Sequence, residues 1–148
     1  MTLQGSCMCG SIAYASDSEP LVKALCHCVD CQKWTGGAFT SNVVVPRDSF
    51  KITKGMQNSI YPARCGSPKF YDVTGESGKN NSHFFCQNCG SSLFTEIDIM
   101  SDKTIIKAGT LDNGETSLRN KVDVEFYVKD RVPYLGAVQD AQQQPRFT

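Results

Sequence analysis

Eight cysteines in 148 residues are the part of this sequence best equipped for chemistry. Seven fall into tight groups: Cys7 with Cys9, then Cys26, Cys28 and Cys31, then Cys86 with Cys89. As thiolates they are both metal ligands and nucleophiles. In Cys86-Gln87-Asn88-Cys89-Gly90 the two-residue gap lets both sulfurs reach one ion across a tight turn, and the following glycine can take a left-handed backbone. The same spacing serves redox pairs, but no buried strand leads into a long helix at this point. Cys7-Met8-Cys9-Gly10 is a second half-site of the same kind. Together Cys7, Cys9, Cys86 and Cys89 make a closed tetrahedral set, the form of a structural zinc. Such a clip joins distant parts of the chain and removes entropy from the unfolded state.

Cys26-His27-Cys28-Val29-Asp30-Cys31 supplies three corners of a second tetrahedron and no obvious fourth. Three protein ligands and one exchangeable position are the form of a catalytic zinc. Three thiolates make that ion electron-rich and suit it to holding a substrate sulfur. His27 lies between two ligands, so on extended chain its ring points the other way, hydrogen-bonded or exposed; a ligand or proton-shuttle role is the alternative. Cys65 is either a small side chain in a loop or a fourth ligand folding back. Lys33 and Trp34 follow the triad directly. Lys33 is either exposed or pairs with a substrate carboxylate. Trp34 either packs in the core or lines a substrate pocket. His83 reads as packing beside Phe84 and Phe85.

Elements able to position these residues are short and β-like. Candidate strands are Ser11–Ala15, Leu21–Cys26, Phe39–Val45, Phe50–Thr53, His83–Cys86, Ser92–Ile97, Thr104–Ala108 and Val122–Lys129, rich in β-branched and aromatic residues and divided by Gly, Pro, Asn and Asp. Strict alternation from Val122 to Lys129 predicts a half-buried strand. Val29–Trp34 predicts the one short helix. Gln57–Asn81 is the least regular stretch and is expected to contain a long loop, and Gly109-Thr110-Leu111-Asp112 reads as a turn. The fold class expected is mostly β.

Length predicts one domain, 1–148, with a core over 5–134 and a polar tail, 135–148, that Pro145 and Phe147 could dock. Fifteen Lys and Arg balance fifteen Asp and Glu, which argues against a dedicated nucleic-acid binder. No apolar run approaches the ~18–20 residues of a membrane span, and the first residues do not read as a signal peptide. A cytoplasmic protein with reduced cysteines is therefore expected. Nothing resembles a Ser-His-Asp triad, a phosphate-binding loop or a dinucleotide fingerprint.

Gly5-Ser6-Cys7-Met8-Cys9-Gly10, Cys26-His27-Cys28-Val29-Asp30-Cys31-Gln32-Lys33 and Phe85-Cys86-Gln87-Asn88-Cys89-Gly90-Ser91, with Ala108-Gly109-Thr110-Leu111-Asp112, together resemble the glutathione-dependent formaldehyde-activating enzymes, the CENP-V/GFA domain family. The likeness runs from Gly5 to Tyr134. It implies an Mss4-like fold of packed β-sheets. It implies a structural zinc on Cys7, Cys9, Cys86 and Cys89 and a catalytic zinc on Cys26, Cys28 and Cys31. The activity it implies is a carbon–sulfur lyase reaction that makes or breaks the adduct of glutathione with formaldehyde, so the expected partners are a small thiol and a carbonyl compound. Gln57–Asn81 looks longer than the family's usual connection, and Tyr134 stands where a tryptophan is common. Two other readings follow from the same residues: the zinc site acts on a larger metabolite electrophile without glutathione, or the domain is a non-catalytic, zinc-stabilised binding module.

Overall fold

The computed structural model describes residues 3–55, 67–114, 118–119 and 121–147. Cys65 and Arg64 lie outside the described residues, as does much of the stretch expected to contain a long loop. The architecture is the mostly β one expected, with two packed sheets. In chain order the elements are β1 (Leu3–Ser6), β2 (Ala13–Ser16), β3 (Val22–Cys26), α1 (Val29–Thr35), β4 (Thr40–Pro46), β5 (Phe50–Lys54), β6 (Lys69–Thr74), β7 (Asn80–Phe85), β8 (Ser92–Ile97), β9 (Lys103–Lys107), β10 (Val124–Phe126) and β11 (Gln142–Gln144). Strands β1-β2-β5 form a small antiparallel sheet. The other eight form a large sheet in the order β11-β10-β3-β4-β9-β8-β7-β6. It is antiparallel except around β10, which runs parallel to both β3 and β11.

The large sheet has two faces of different character. Side chains alternate across a strand, so Val43 and Val45 of β4, Ile106 of β9 and Phe94 of β8 all point to one side. There they meet Leu3, Ile12 and Tyr14 from the small sheet and its turn, in the hydrophobic core. Phe50 bridges the layers, with its ring centroid 5.3 Å from Tyr14 and 4.7 Å from Phe94. Each such fully buried side chain contributes roughly 1.5–3 kcal/mol. The other side carries the intervening residues, and these include Asn42, His83, Thr95 and Lys107.

The Gly109–Asp112 segment joins the two sheets. Thr110 Oγ1 donates to the Lys107 carbonyl at 2.8 Å, so the Tyr14 hydroxyl, 2.6 Å away, is the donor to Thr110. Leu111 bridges to Gly5. A Cβ on Gly5 would collide with the Tyr14 ring and lie 2.6 Å from the Thr110 carbonyl, so this position requires glycine for its close approach.

One sequence reading needs correction here, and one strand was missed. Val122–Lys129 is not one long strand: β10 holds only Val124–Phe126. Tyr127 takes a left-handed conformation (φ 57°) and a 3₁₀ turn follows over Val128–Asp130. The chain leaves the sheet so that the Asp130 carbonyl can accept from the Gln32 side chain at 3.0 Å. Within Gln57–Asn81, where no strand was expected, Lys69–Thr74 pairs with β7 along its length. That strand is an exposed sheet edge, so it lacks the apolar alternation by which buried strands are read.

Candidate metal and active site

Two turns, each closed by a glycine after its second cysteine, build the first cysteine cluster. After β1 the Gly10 amide closes onto the Cys7 carbonyl at 2.9 Å, and after β7 the Gly90 amide closes onto the Cys86 carbonyl at 2.8 Å. Both glycines have positive φ, 68° and 77°, which favours residues without a Cβ. Met8 N–H donates across to Ser91 Oγ at 3.0 Å and ties one turn to the other. The sulfurs of Cys7, Cys9, Cys86 and Cys89 then lie within 4.8 Å of one another. Cys7 to Cys9 is 3.5 Å and Cys9 to Cys86 is 3.8 Å. A tetrahedral zinc with Zn–S bonds of about 2.3 Å holds its sulfurs about 3.8 Å apart, so this set fits the ion. The Ile12 amide donates to Cys7 Sγ at 3.3 Å. The Ser11 hydroxyl, and then the Asn88 side chain, hold the Cys9 thiol down at about 5. Both effects favour the thiolate a metal needs.

The second cluster lies on the opposite face of the large sheet. Cys26 ends β3, Cys28 is the N-cap of α1 and Cys31 sits in its first turn. Cys28 Sγ accepts the Cys31 amide at 3.3 Å, the usual job of a capping side chain. The three sulfurs also lie within 4.8 Å of one another. Hydrogen bonds from Cys26, then Cys28, hold the Cys31 thiol down, while those to Cys28, then Cys31, push Cys26 up. Thr40 Oγ1 adds a further hydrogen bond to Cys31 at 3.3 Å. All seven described cysteines are free thiols. This set fits a zinc with three protein sulfurs.

The second cluster opens into a cavity. It measures ≈ 440 Å³, and Cys26, Cys28 and Cys31 form part of its lining. The floor comes from one face of the large sheet, with Asn42, His83, Thr95 and Lys107 as its polar members. Ile97, Ile99, Met100 and Phe126 supply apolar wall. The rim is the β6–β7 turn at Gly75 to Ser77, with Tyr127, Lys129 and Phe147. Phe147 docks its ring 4.9 Å from Phe126, and Arg146 pairs with Glu76. The polar tail is therefore anchored at the cavity mouth.

His27 is hydrogen-bonded and faces away from the sulfurs. It is 1% exposed, and its Nε2 meets Glu125 Oε1 at 2.7 Å. Glu125 is equally buried, contrary to the solvent-facing place that the alternation from Val122 gives it. The tail covers it: Glu125 Oε2 accepts from the Val138 amide and the Gln143 side chain, both at 2.7 Å, and pairs with Arg131 at 3.1 Å. Burial pushes the Glu125 carboxyl up, but these donors outweigh it and hold it low. The network pins the residue between two ligands, and so sets where Cys26 and Cys28 point. Replacing Glu125 by Ala strands buried polar groups and is expected to cost about 3–5 kcal/mol. Glu125→Gln keeps an acceptor oxygen and is expected to lose less; urea unfolding of both variants measures the difference.

Lys33 is exposed on α1. Trp34 is half-buried: its ring stacks on His83 at 4.8 Å, lies 5.8 Å from Phe85, and donates Nε1–H to Ser92 Oγ. Neither lines the cavity, which Trp34 meets only through His83. Burial and the nearby Lys107 cation push the His83 imidazole down to about 4, so it is neutral at pH 7. Among the described residues, Arg47, Lys51, Lys54 and Lys69 do not line the cavity either; Arg47 pairs with Glu96 at 2.9 Å.

Comparison with known proteins agrees with this architecture. Residues 2–130 match the family described as glutathione-dependent formaldehyde-activating enzyme. The chain belongs to that family. A Halomonas elongata protein, named provisionally as a glutathione-dependent formaldehyde-activating enzyme, is 29% identical over 96 residues. The match covers 64% of this chain and 55% of that protein, so the chain spans about half the length of this curated relative. A crystal structure of a Rhodobacter sphaeroides protein has the same fold, with a TM-score of 0.58 at 16% identity over 80% of this chain and 96% of that one. Among the described residues, no helix is long and apolar enough to cross a membrane.

Proposed function

We propose that this GFA-family domain is a zinc-dependent carbon–sulfur lyase that forms or breaks an adduct between a small thiol and a carbonyl compound. The observation that carries this reading is the asymmetry of the two clusters. Four sulfurs are enough for one tetrahedral ion, while the other three border a cavity large enough for a small adduct. A zinc ion on Cys26, Cys28 and Cys31 would supply the positive charge that keeps an incoming thiol ionised.

The chain's own residues do the rest. The hydrogen bonds of Thr40 and the Cys31 amide hold the ligand sulfurs in place. The apolar wall excludes water from one side of the bound sulfur, while the polar floor faces the carbonyl. Addition makes one carbon–sulfur bond, and the carbonyl π pair moves onto oxygen. The proton lost by the thiol ends on that oxygen. Lys33 and Trp34, on the same helix as Cys31 but outside the cavity lining, are proposed to contact only a part of the thiol that extends beyond the cavity. Two clusters of cysteines suited to metal rather than disulfides fit a reducing compartment, and cytoplasmic action is proposed as well.

Glutathione with formaldehyde is the first pair to test. Proton NMR of the equilibrating mixture is expected to show exchange of the hydroxymethyl group accelerated by the protein. Acceleration with a larger aldehyde and none with glutathione would favour the second zinc-enzyme reading. No acceleration with any thiol–carbonyl pair would favour the binding module. That reading has less support in the site: among the described residues no fourth ligand joins Cys26, Cys28 and Cys31, and His27 is not part of their group.

A further inference from the structure

Lys107 is a buried lysine that neither cluster requires as a ligand; burial pushes its ammonium down, and the charges of Cys31, Cys26 and Cys28 act against that. It is 7% exposed and lines the cavity beside the three cysteines. Among the described residues its one hydrogen bond goes to Asn42 Oδ1 at 3.0 Å, and no carboxylate pairs with it. An ammonium has three N–H donors, so this one is under-used. Lys129, the other lysine on the cavity, is occupied by Asp130 at 2.9 Å and Glu76 at 3.3 Å.

Asn42 holds the ammonium in a fixed place. Lys107 and Asn42 are cross-strand partners of β9 and β4. Asn42 Nδ2 donates to Thr40 Oγ1 at 2.8 Å, and the Thr40 hydroxyl donates onward to Cys31 Sγ. With the Thr40 proton committed to sulfur, the Asn42 amide has one orientation, and its Oδ1 must face Lys107. The ammonium is thus tied through two side chains to the ligand set whose cavity it shares.

We propose that Lys107 is the oxyanion donor of the site: its ammonium holds the substrate oxygen that turns negative when sulfur adds to the carbonyl carbon. The proposal rests on the thiol–carbonyl reading above and names a residue for it. Charge explains the need. Three thiolates already outweigh a divalent ion, and an incoming thiolate adds to the excess. Such a site gives little welcome to an alkoxide, so the balancing cation has to come from the chain. In the forward direction the carbon–sulfur bond forms, the π pair settles on the oxygen beside Lys107, and the thiol's proton reaches that oxygen through cavity water. The reverse reaction retraces these movements. A carboxylate near the reacting sulfur would be held by the same donor.

The test uses full-length protein with cobalt in place of zinc, because thiolate binding to cobalt has its own absorption. Mercaptoacetate places a negative oxygen near its sulfur; 2-mercaptoethanol, of the same length, places a neutral one there. Wild-type protein is expected to prefer mercaptoacetate by about tenfold or more, the worth of a charge-assisted hydrogen bond. Lys107→Gln, which keeps a donor for Asn42, is expected to hold both metals and lose that preference. It is also expected to turn over the glutathione–formaldehyde adduct about 100-fold more slowly with little change in KM for glutathione. Lys107→Arg is expected to regain part of both. An unchanged preference in metal-loaded Lys107→Gln overturns the proposal. Loss of the second metal from that variant also overturns it, because the ammonium is then a counter-charge to the ligand sulfurs. A wild-type protein that binds neither thiol overturns the enzymatic reading, and this proposal with it.

Discussion

Cys28→Ser is expected to yield a folded protein with one bound metal instead of two and with thiol–carbonyl turnover reduced by more than about 100-fold. The size follows from chemistry: losing a residue that only orients a ligand costs 10–100-fold in metal affinity or activity, and here a ligand itself is lost. Folding should survive for a specific reason. Cys28 is the N-cap of α1 and accepts the Cys31 amide. Serine is among the best residues at that position, so the helix keeps its cap while the site loses a sulfur. Metal analysis beside NMR turnover measures both halves. Turnover equal to that of the unmodified protein would remove metal-held sulfur from the account.

The second large effect is structural. Cys86→Ser is expected to lower stability by on the order of 4–5 kcal/mol or more, the class of loss reserved for disulfides and metals. For a chain of this size that is a fall in melting temperature of roughly 10–20 °C. Cys86 is 1% exposed and its sulfur lies 3.8 Å from that of Cys9, 77 positions away in sequence. The cluster ties the turn after β1, in the small sheet, to the turn between β7 and β8, in the large one. Without it the unfolded chain regains that loop's freedom. A chelator strong enough to strip the first ion should have a similar effect on the unmodified protein and little further effect on the variant. A variant melting within a few degrees of the wild type would contradict this role.

Much of the site was legible because metal ligation leaves a spacing signature. Seven cysteines in two-, three- and two-residue groups divided into a four and a three, and the sulfurs gather in those sets. Strands with apolar alternation were legible for the same kind of reason: β8 spans Ser92–Ile97, as the residues predict. Exposed edges were not. Strand β6 carries Phe70 and Tyr71 outward with no buried face to give it a period, and β11 is Gln-Gln-Gln, a strand only because β10 offers it an edge. Buried polar residues were the hardest. Asn42, Lys107 and His83 sit at strand positions that alternate with core residues, and sequence alone cannot tell solvent from a cavity floor. A usable signal was present in β9: Lys107 follows Ile105 and Ile106 on a strand whose neighbours are themselves covered. Glu125 escaped notice because the tail that buries it lies 13–18 residues further along.

The central claim is that one ion is saturated by protein sulfur while the other is not. Zinc-edge X-ray absorption, combined with metal analysis, tests it directly on purified wild-type and Cys28→Ser protein. Two zinc ions per wild-type chain, with an average of three and a half protein sulfurs each and a light-atom ligand that an added thiol displaces, is the expected result. Cys28→Ser should then retain a single zinc with four sulfurs. One zinc per wild-type chain, or two with full sulfur shells that ignore added thiol, would contradict the account.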